Sequence, residues 1–211
     1  MQQTTERLPF TIRIVTSAAD IARAARFRSV AYGRHLPDLA ARLAEPDPCD
    51  LDGSAVVLLA EAKHDGATVG TARLQTNRRQ PLDLERSVEL PAPFRGSALA
   101  EPTRLGVIKD PIGPAVKIGL FKALYLYCMA QRLDWVVLAA RAPLDRQYEA
   151  IGFTDVFPDR GYVAMAHAGD VPHRVLALRV ASAEAMIAAA HPMATTLFLV
   201  HHPDICIAPA A

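Results

Sequence analysis

The hydrophobic pattern of this chain predicts a mixed α/β fold, a central twisted sheet flanked by helices. Three observations carry it. Two β-branched apolar runs, Ser54 to Lys63 and Thr68 to Thr76, are joined by His64-Asp65-Gly66-Ala67, with Asp-Gly marking a hairpin turn. An almost wholly apolar helical segment opens at Pro114, after Asp110-Pro111-Ile112-Gly113, and continues to about Arg132. Between Asp134 and Phe153 the pattern switches from strand to helix and back to strand. Hairpins in the first half and alternating elements in the second give a sheet of mixed strand direction with helices on its faces.

Taken in order, Pro9 to Val15 alternates like a strand, and Thr16-Ser17 can cap a helix from Ala18 to about His35, with Asp20 favourable in its first turn. The apolar positions Ile21, Ala24, Ala25, Val30 and Ala31 leave Arg23, Arg26, Arg28 and Arg34 in need of water or anions. Pro37 interrupts the pattern, a shorter helix follows to about Glu45, and Glu45 to Gly53 reads as a loop from its Pro, Asp and Gly content. After the hairpin, residues 77–97 form a polar, proline-bearing connection with a helical turn at Leu82 to Val88. The next strand holds Glu101 and Arg104; Asp134 to Ala140 is a short apolar strand, and Pro143 to Ile151 a helix ending at Gly152. Residues 161–167 and 173–180 read as a further strand pair, 182–190 as an alanine-rich helix, and Thr195 to Val200 as a last strand. With 211 residues and 51% hydrophobic content the chain suffices for one domain, expected over 1–180, with a C-terminal helix and tail at 181–211 packed on it.

Composition narrows the function. Twenty-three basic and twenty-two acidic side chains leave a formal charge of +1, so no global field recruits nucleic acid or an anionic membrane. No stretch reaches the roughly 20 apolar residues of a membrane span, and Met-Gln-Gln-Thr-Thr-Glu-Arg lacks a signal peptide's apolar core. Cys49, Cys128 and Cys206 are far apart and have no zinc-ligand spacing, which points to reduced thiols, a cytoplasmic location and no metal. His201-His202 before Pro203 reads as a solvated loop.

The chemistry centres on Ala98-Leu-Ala-Glu101-Pro-Thr-Arg104-Leu-Gly-Val-Ile108. A strand meant only for burial has no use for an acid and a base. In regular extended chain, 101 and 103 share one face and 104 takes the other. A carboxylate in apolar surroundings has its charged form disfavoured and becomes a better proton acceptor near neutral pH. The pair is either a structural ion pair or part of a site.

Residues 10–165 resemble the GNAT-type N-acyltransferases, and within them the FeeM-like long-chain N-acyl amino acid synthases and the related acyl-homoserine-lactone synthases. Arg28-Ser-Val-Ala-Tyr32 matches the family's helix-one Arg-x-x-x-aromatic, Asp50 and Asp52 its loop aspartates, Arg73 the arginine of its third strand, and Glu101-x-x-Arg104 the acid and arginine of its fourth. Gly119 to Cys128 and Tyr148-Glu-Ala-Ile-Gly-Phe153 are similar to the FeeM-like branch. The lactone synthases' helix-one tryptophan is missing; the chain's one tryptophan is Trp135.

The resemblance implies a GNAT-like fold whose fourth and fifth strands splay apart, and transfer of a medium or long acyl chain from acyl carrier protein to the α-amine of an amino acid or similar small amine. No cofactor is bound in this reading; the acyl-phosphopantetheine of the carrier protein, or acyl-CoA, is the donor substrate. Glu101 is then the base and Arg104 its catalytic companion. Arg28, Tyr32, Asp50, Asp52, Arg73 and Thr103 surround the acceptor, with the aspartates either holding its ammonium or pinning their loop through Arg28, and Tyr32, an aromatic on the inner face of helix one, reading more readily as core. Val107, Lys109, Gly113, Lys117 and Tyr148 serve the donor: a backbone N–H near Gly106 or Val107 faces the oxyanion, and Tyr148 either protonates the leaving thiolate or packs.

Lys109-Asp-Pro-Ile-Gly113-Pro-Ala115 is one residue longer than the family's phosphate loop, and its prolines offer no amide donors, which suits one phosphate better than a pyrophosphate. Phe121, Leu124 and Trp135 are candidates to line an acyl tunnel, and Asn77-Arg78-Arg79, Arg86 and Arg95 to meet an acidic carrier protein. Lactone synthesis from S-adenosylmethionine, acetyl transfer from acetyl-CoA, and a non-catalytic acyl-lipid or amino-acid binding module are the alternatives.

Overall fold

The computed structural model describes residues 5–190 and 198–208. Contacts divide the chain into two compact units, one made of residues 1–74, 103–127 and 199–211, the other of 75–102 and 128–198.

In the first unit β1 (Phe10–Val15) pairs antiparallel with β2 (Ala55–Ala62) from Phe10↔Ala62 to Val15↔Val57. The hairpin to β3 (Thr68–Thr76) turns at Gly66, where φ is +71° and Asp65 Oδ1 accepts the Ala67 N–H. The latter part of β4 (Leu99–Val107) follows β3, and β9 (Ile205–Cys206) adds to the far side of β1 in parallel. Helix α1 (Ala18–Gly33) starts where Ser17 Oγ accepts the Asp20 N–H, as the capping pattern predicts. Its Ile21 and Ala24 cover one face of the sheet through Val15, Val57 and Leu59. Helix α4 (Gly113–Ala130) covers the other, so closely that a Cβ on Gly119 would stand 3.0 Å from Ile12 Cδ1 and 3.1 Å from Phe10 Cε2. Burial on both faces explains why the strands read as near-continuous apolar runs. Helix α2 (Pro37–Arg42) stops short of the expected Glu45, and the 45–53 loop contains a one-turn helix, α3 (Pro48–Leu51).

The C-terminal segment corrects one expectation. His202 is not in a solvated loop: it is buried, with Nδ1 3.0 Å from the Glu6 carbonyl. Beside it, Asp204 accepts the Leu8 N–H at 2.8 Å, Arg7 Nη1 at 3.0 Å and Lys63 Nζ at 2.7 Å. Burial opposes ionisation of Asp204, but Lys63, the Leu8 N–H and Arg7 outweigh it and hold the carboxyl below its ordinary 3.8. A depressed carboxylate adds stability above its unfolded value and loses it as pH falls through the folded one. The stability gap between wild type and Asp204→Asn, followed by chemical denaturation against pH, is therefore widest at neutral pH and closes below about pH 3.8.

In the second unit β5 (Trp135–Ala140) pairs antiparallel with β8 (Val171–Arg179) along its whole length, from Trp135↔Arg179 to Ala140↔Arg174. The short β6 (Thr154–Asp155) and β7 (Val163–Met165) each pair antiparallel with β8. The predicted strand 161–167 is thus cut to three residues, and Ala166–Ala168 curls into a 3-10 turn. Helices α5 (Leu144–Ala150) and α6 (Val180–Ala190) complete the unit. Two 3-10 turns, Asp83–Arg86 and Ala92–Phe94, occupy the 77–97 connection, and their Leu84 and Phe94 join Leu99, Val137, Met165 and Val175 in the core. The strand expected at Thr195 to Val200 lies partly outside the described residues, and Phe198 and Leu199 are helical.

Among the described residues no helix is long and apolar enough to cross a membrane, and no cluster could hold a metal. Burial pushes the Cys128 thiol up to about 12, and no disulfide joins the three cysteines.

Candidate functional site

β4 and β5 pair in parallel at Leu99↔Trp135 and Ala100↔Val136. Glu101 is the first β4 residue beyond that ladder. Its side chain has no exposed surface; Oε2 accepts the Leu84 N–H at 3.2 Å, and Oε1 stands 3.7 Å from His167 Nε2. His167 lies on the Ala166–Ala168 turn, which the sequence reading had absorbed into a strand.

A second polar nest occupies the first unit. Arg28, on the inner face of α1, donates from Nη1 to Asp50 Oδ2 at 2.6 Å, with the two side chains 1% and 0% exposed. Arg28 Nε and Nη2 and Asp50 Oδ1 are buried and make no hydrogen bond among the described residues. Arg73 donates from Nε to Thr103 Oγ1 at 2.9 Å and from Nη1 to Asp47 Oδ2 at 2.6 Å, with Cys49 Sγ 3.0 Å from the same Nη1. Arg104 Nε reaches that Asp47 oxygen at 3.4 Å.

Two readings change here. Strict alternation sends Arg104 away from Thr103, yet it shares an acid with Arg73, the partner of Thr103. The cause is its backbone: φ at Arg104 is +55°, a left-handed conformation rare for a non-glycine residue, which breaks the alternation of β4. Such outliers persist only where surrounding contacts over-determine them. The loop aspartates also differ. Asp50 faces Arg28, and Asp52 is exposed and accepts the Ser54 N–H at 2.8 Å; Asp47, which sequence reasoning missed, stands against both Arg73 and Arg104. A Pro-Asp-Pro loop has no periodicity to expose it.

The donor-side candidates are spread along β4, the following loop and α4. Ile108 donates its N–H to Val69 O on β3, so the half-buried Val107, one residue back, directs its own N–H to the opposite edge of β4. Lys109 is exposed. The Ile112 N–H is taken by Asp110 Oδ1 and the Gly113 N–H by the Asp110 carbonyl, at 3.2 and 2.8 Å. Gly113 is required by packing, since a Cβ there would stand 2.4 Å from Ile108 O. Lys117 is half-buried, its Nζ 5.7 Å from the Phe121 ring centroid, and burial lowers its pKa. Tyr148 packs edge-on against Phe153, and the carbonyl of the half-buried Tyr32 accepts the His35 and Leu36 N–H groups just beyond α1. Of the tunnel candidates, Leu124 is buried in α4, and Trp135 stacks edge-on against Phe94 at 5.2 Å in the second unit's core. That unit also holds an open cavity of about 440 Å³ lined by Asn77, Val88, Leu90, Phe94, Arg95 and Leu99.

No protein-family model matches the sequence, and no curated protein does. Solved structures are similar. FeeM, an N-acyl amino acid synthase from uncultured soil microbes, superposes with a TM-score of 0.65 at 19% identity, over 86% of this chain and 96% of that one. BjaI, a CoA-dependent acyl-homoserine lactone synthase, gives 0.60 at 19% identity over 92% and 93%. A GNAT-family acetyltransferase of Desulfovibrio desulfuricans, described as putative, gives 0.56 at 15% identity over 81% and 99%. At these identities the likeness establishes the fold, a GNAT-type one, as the motif spacing implied.

Proposed function

We propose that the chain is an N-acyltransferase that moves a medium or long acyl chain from an acyl carrier protein thioester to the α-amine of an amino acid or similar small amine. One observation carries the reading: in a fold shared with an N-acyl amino acid synthase, a lone acid stands in an apolar strand at the first position beyond the β4–β5 ladder. Amide formation needs a neutral amine, hence a proton acceptor, and donors for the developing oxyanion. Glu101 is the acceptor, and the outward Val107 N–H the oxyanion donor.

The Arg28–Asp50 pair supports an amino acid as acyl acceptor. Its uncommitted groups are the guanidinium's Nε and Nη2 and one carboxylate oxygen, complementary to a carboxylate and an ammonium. Arg73, Arg104 and Asp47 set the charge of the loop beside that pair, with Thr103 holding Arg73 in place. The Asp110 contacts support the carrier-protein donor over coenzyme A. Two loop amides are committed internally, two positions are prolines, and the acid itself repels phosphate, so few donors converge for a pyrophosphate. Lys109 and Lys117 serve a single phosphate, and the exposed Arg79, Arg86 and Arg95 meet an acidic carrier.

The test offers acyl carrier protein charged with C8 to C16 chains, the matching acyl-CoAs and acetyl-CoA, with an amino acid mixture or S-adenosylmethionine, and reads products by mass spectrometry. N-acyl amino acids form from the carrier-protein donor at least about tenfold faster than from acyl-CoA, the equivalent of about 1.4 kcal/mol. Lactone from S-adenosylmethionine would move the assignment to the BjaI-like reading, and no acylated product from any donor would overturn it.

A further inference from the structure

We infer that the outward face of α1, built on Arg26, Val30 and Arg34, is the docking surface for the acidic carrier protein that brings the acyl chain. The inference rests on the carrier-protein reading of the donor and names the principal face on which that partner sits.

Residues 26, 30 and 34 stand four apart and form one stripe along the helix, which Arg34 at the C-cap continues with a helical φ of −67°. The stripe is exposed throughout, and Val30, which the apolar pattern would bury, is 65% exposed. Its charge is uncompensated. Residues 18–42 hold five arginines, at 23, 26, 28, 34 and 42, and two acids, Asp20 and Asp38. Asp20 and Glu61 take Arg23, and Asp50 takes Arg28. The side chains of Arg26, Arg34 and Arg42 make no ion pair or hydrogen bond among the described residues, and the exposed Asp38 joins none of them. Arg86 and Arg95 of the second unit differ: they stand 3.7 Å from Asp83 and 2.7 Å from Glu89, and so have less charge to offer a partner. Two cations flanking an apolar side chain complement an acidic helix with an apolar residue between its carboxylates.

The stripe also stands where a carrier has to sit. The neighbouring flank of α1 packs on the later part of β4: a Cβ on Gly106 would be 3.1 Å from Ala31 Cβ and 3.8 Å from Phe27 Cε1, one residue before the Val107 N–H assigned to the oxyanion. A helix with its side chains is about 10–12 Å across, so its outer face lies within reach of an extended phosphopantetheine arm whose thioester is at Val107. The phosphate of that arm is esterified to a serine of the carrier, so the carrier's surface lies wherever the phosphate binds. Lys109, assigned to the phosphate, follows Ile108, whose N–H donates to Val69 O at 2.9 Å. The adjoining Thr68 Oγ1 accepts from Arg23 Nη2 at 3.3 Å, about one turn of α1 before Arg26. The phosphate end of the arm and the first arginine of the stripe therefore belong to the same end of α1.

The experiment titrates labelled acyl carrier protein into wild type, the double variant Arg26→Glu with Arg34→Glu, Val30→Ser, and the double variant Arg86→Glu with Arg95→Glu, at about 50 and about 500 mM salt. Circular dichroism melting confirms that each variant is folded. Reversal on α1 is expected to weaken carrier binding at least about tenfold at low salt, with a narrower gap at high salt and kcat at saturating carrier within about twofold of wild type. Val30→Ser weakens binding about threefold, and reversal of Arg86 and Arg95 less than reversal on α1. A loss of less than about threefold from the α1 reversal overturns the inference, and so does a greater loss from Arg86 and Arg95. If the α1 reversal abolishes cosedimentation with phosphatidylglycerol vesicles and spares carrier binding, the stripe is a membrane contact and the inference also falls. Wild type that transfers acyl groups from acyl-CoA and does not bind the carrier overturns the carrier reading and the inference with it, whereas wild-type carrier binding with an indifferent α1 variant overturns the inference alone.

Discussion

Glu101→Gln is expected to lower kcat by about 10²- to 10⁴-fold while leaving the affinity for the acyl donor intact, a loss of roughly 3–5 kcal/mol of transition-state stabilisation. Glutamine keeps the shape and offers a carbonyl oxygen to the Leu84 N–H, so the contact that orients the side chain survives. What it cannot do is take a proton from an ammonium. Because the acid has no exposed surface, water does not replace it easily, and the fall belongs toward the larger end of that range. Thiol release under saturating substrates gives kcat, and titration of labelled acyl carrier protein gives donor affinity. Retained turnover would remove Glu101 from the chemistry; lost turnover with lost donor binding would make the residue structural.

The acid was legible in the sequence because it is chemically out of place in its apolar run, and Arg28 and Arg73 through the motif resemblance alone. Their partners were harder to read. Asp47 lies in a proline-bounded loop, where no period ties a residue to a face, and the motif resemblance named Asp50 and Asp52 without it. Arg104 was assigned to the wrong face because alternation assumes extended backbone throughout, and nothing in an arginine announces a φ of +55°. His167 vanished into a predicted strand, although Gly169 and Asp170, both left-handed, were signals of a turn just beyond it. β9 has two residues, too short for any period, and its anchor is the acid Asp204. The hairpin, the capped first helix and the apolar α4 were legible because each carries a local cause: Asp-Gly, Ser17, and a helix start at proline.

The largest stability effect is expected from Asp50→Ala. Arg28 and Asp50 are 1% and 0% exposed at the side chain, so removing the acid strands a guanidinium that already has two N–H-bearing atoms without hydrogen-bond partners among the described residues. Breaking a buried pair from one side costs about 3–5 kcal/mol. At about 2–4 °C per kcal/mol for a chain of this size, the melting temperature falls by roughly 6–20 °C. The charge-free double variant Arg28→Met with Asp50→Leu separates the possible reasons for the pair, since replacing both partners by apolar groups removes the desolvation penalty together with the attraction. Thermal melting of the four members of the cycle gives the coupling, and turnover of the double variant gives its purpose. If the pair only pins the loop to α1, the double variant recovers both stability and activity. If it holds the acceptor, stability returns while KM for the amino acid rises at least about tenfold, because the groups that recognise carboxylate and ammonium are gone.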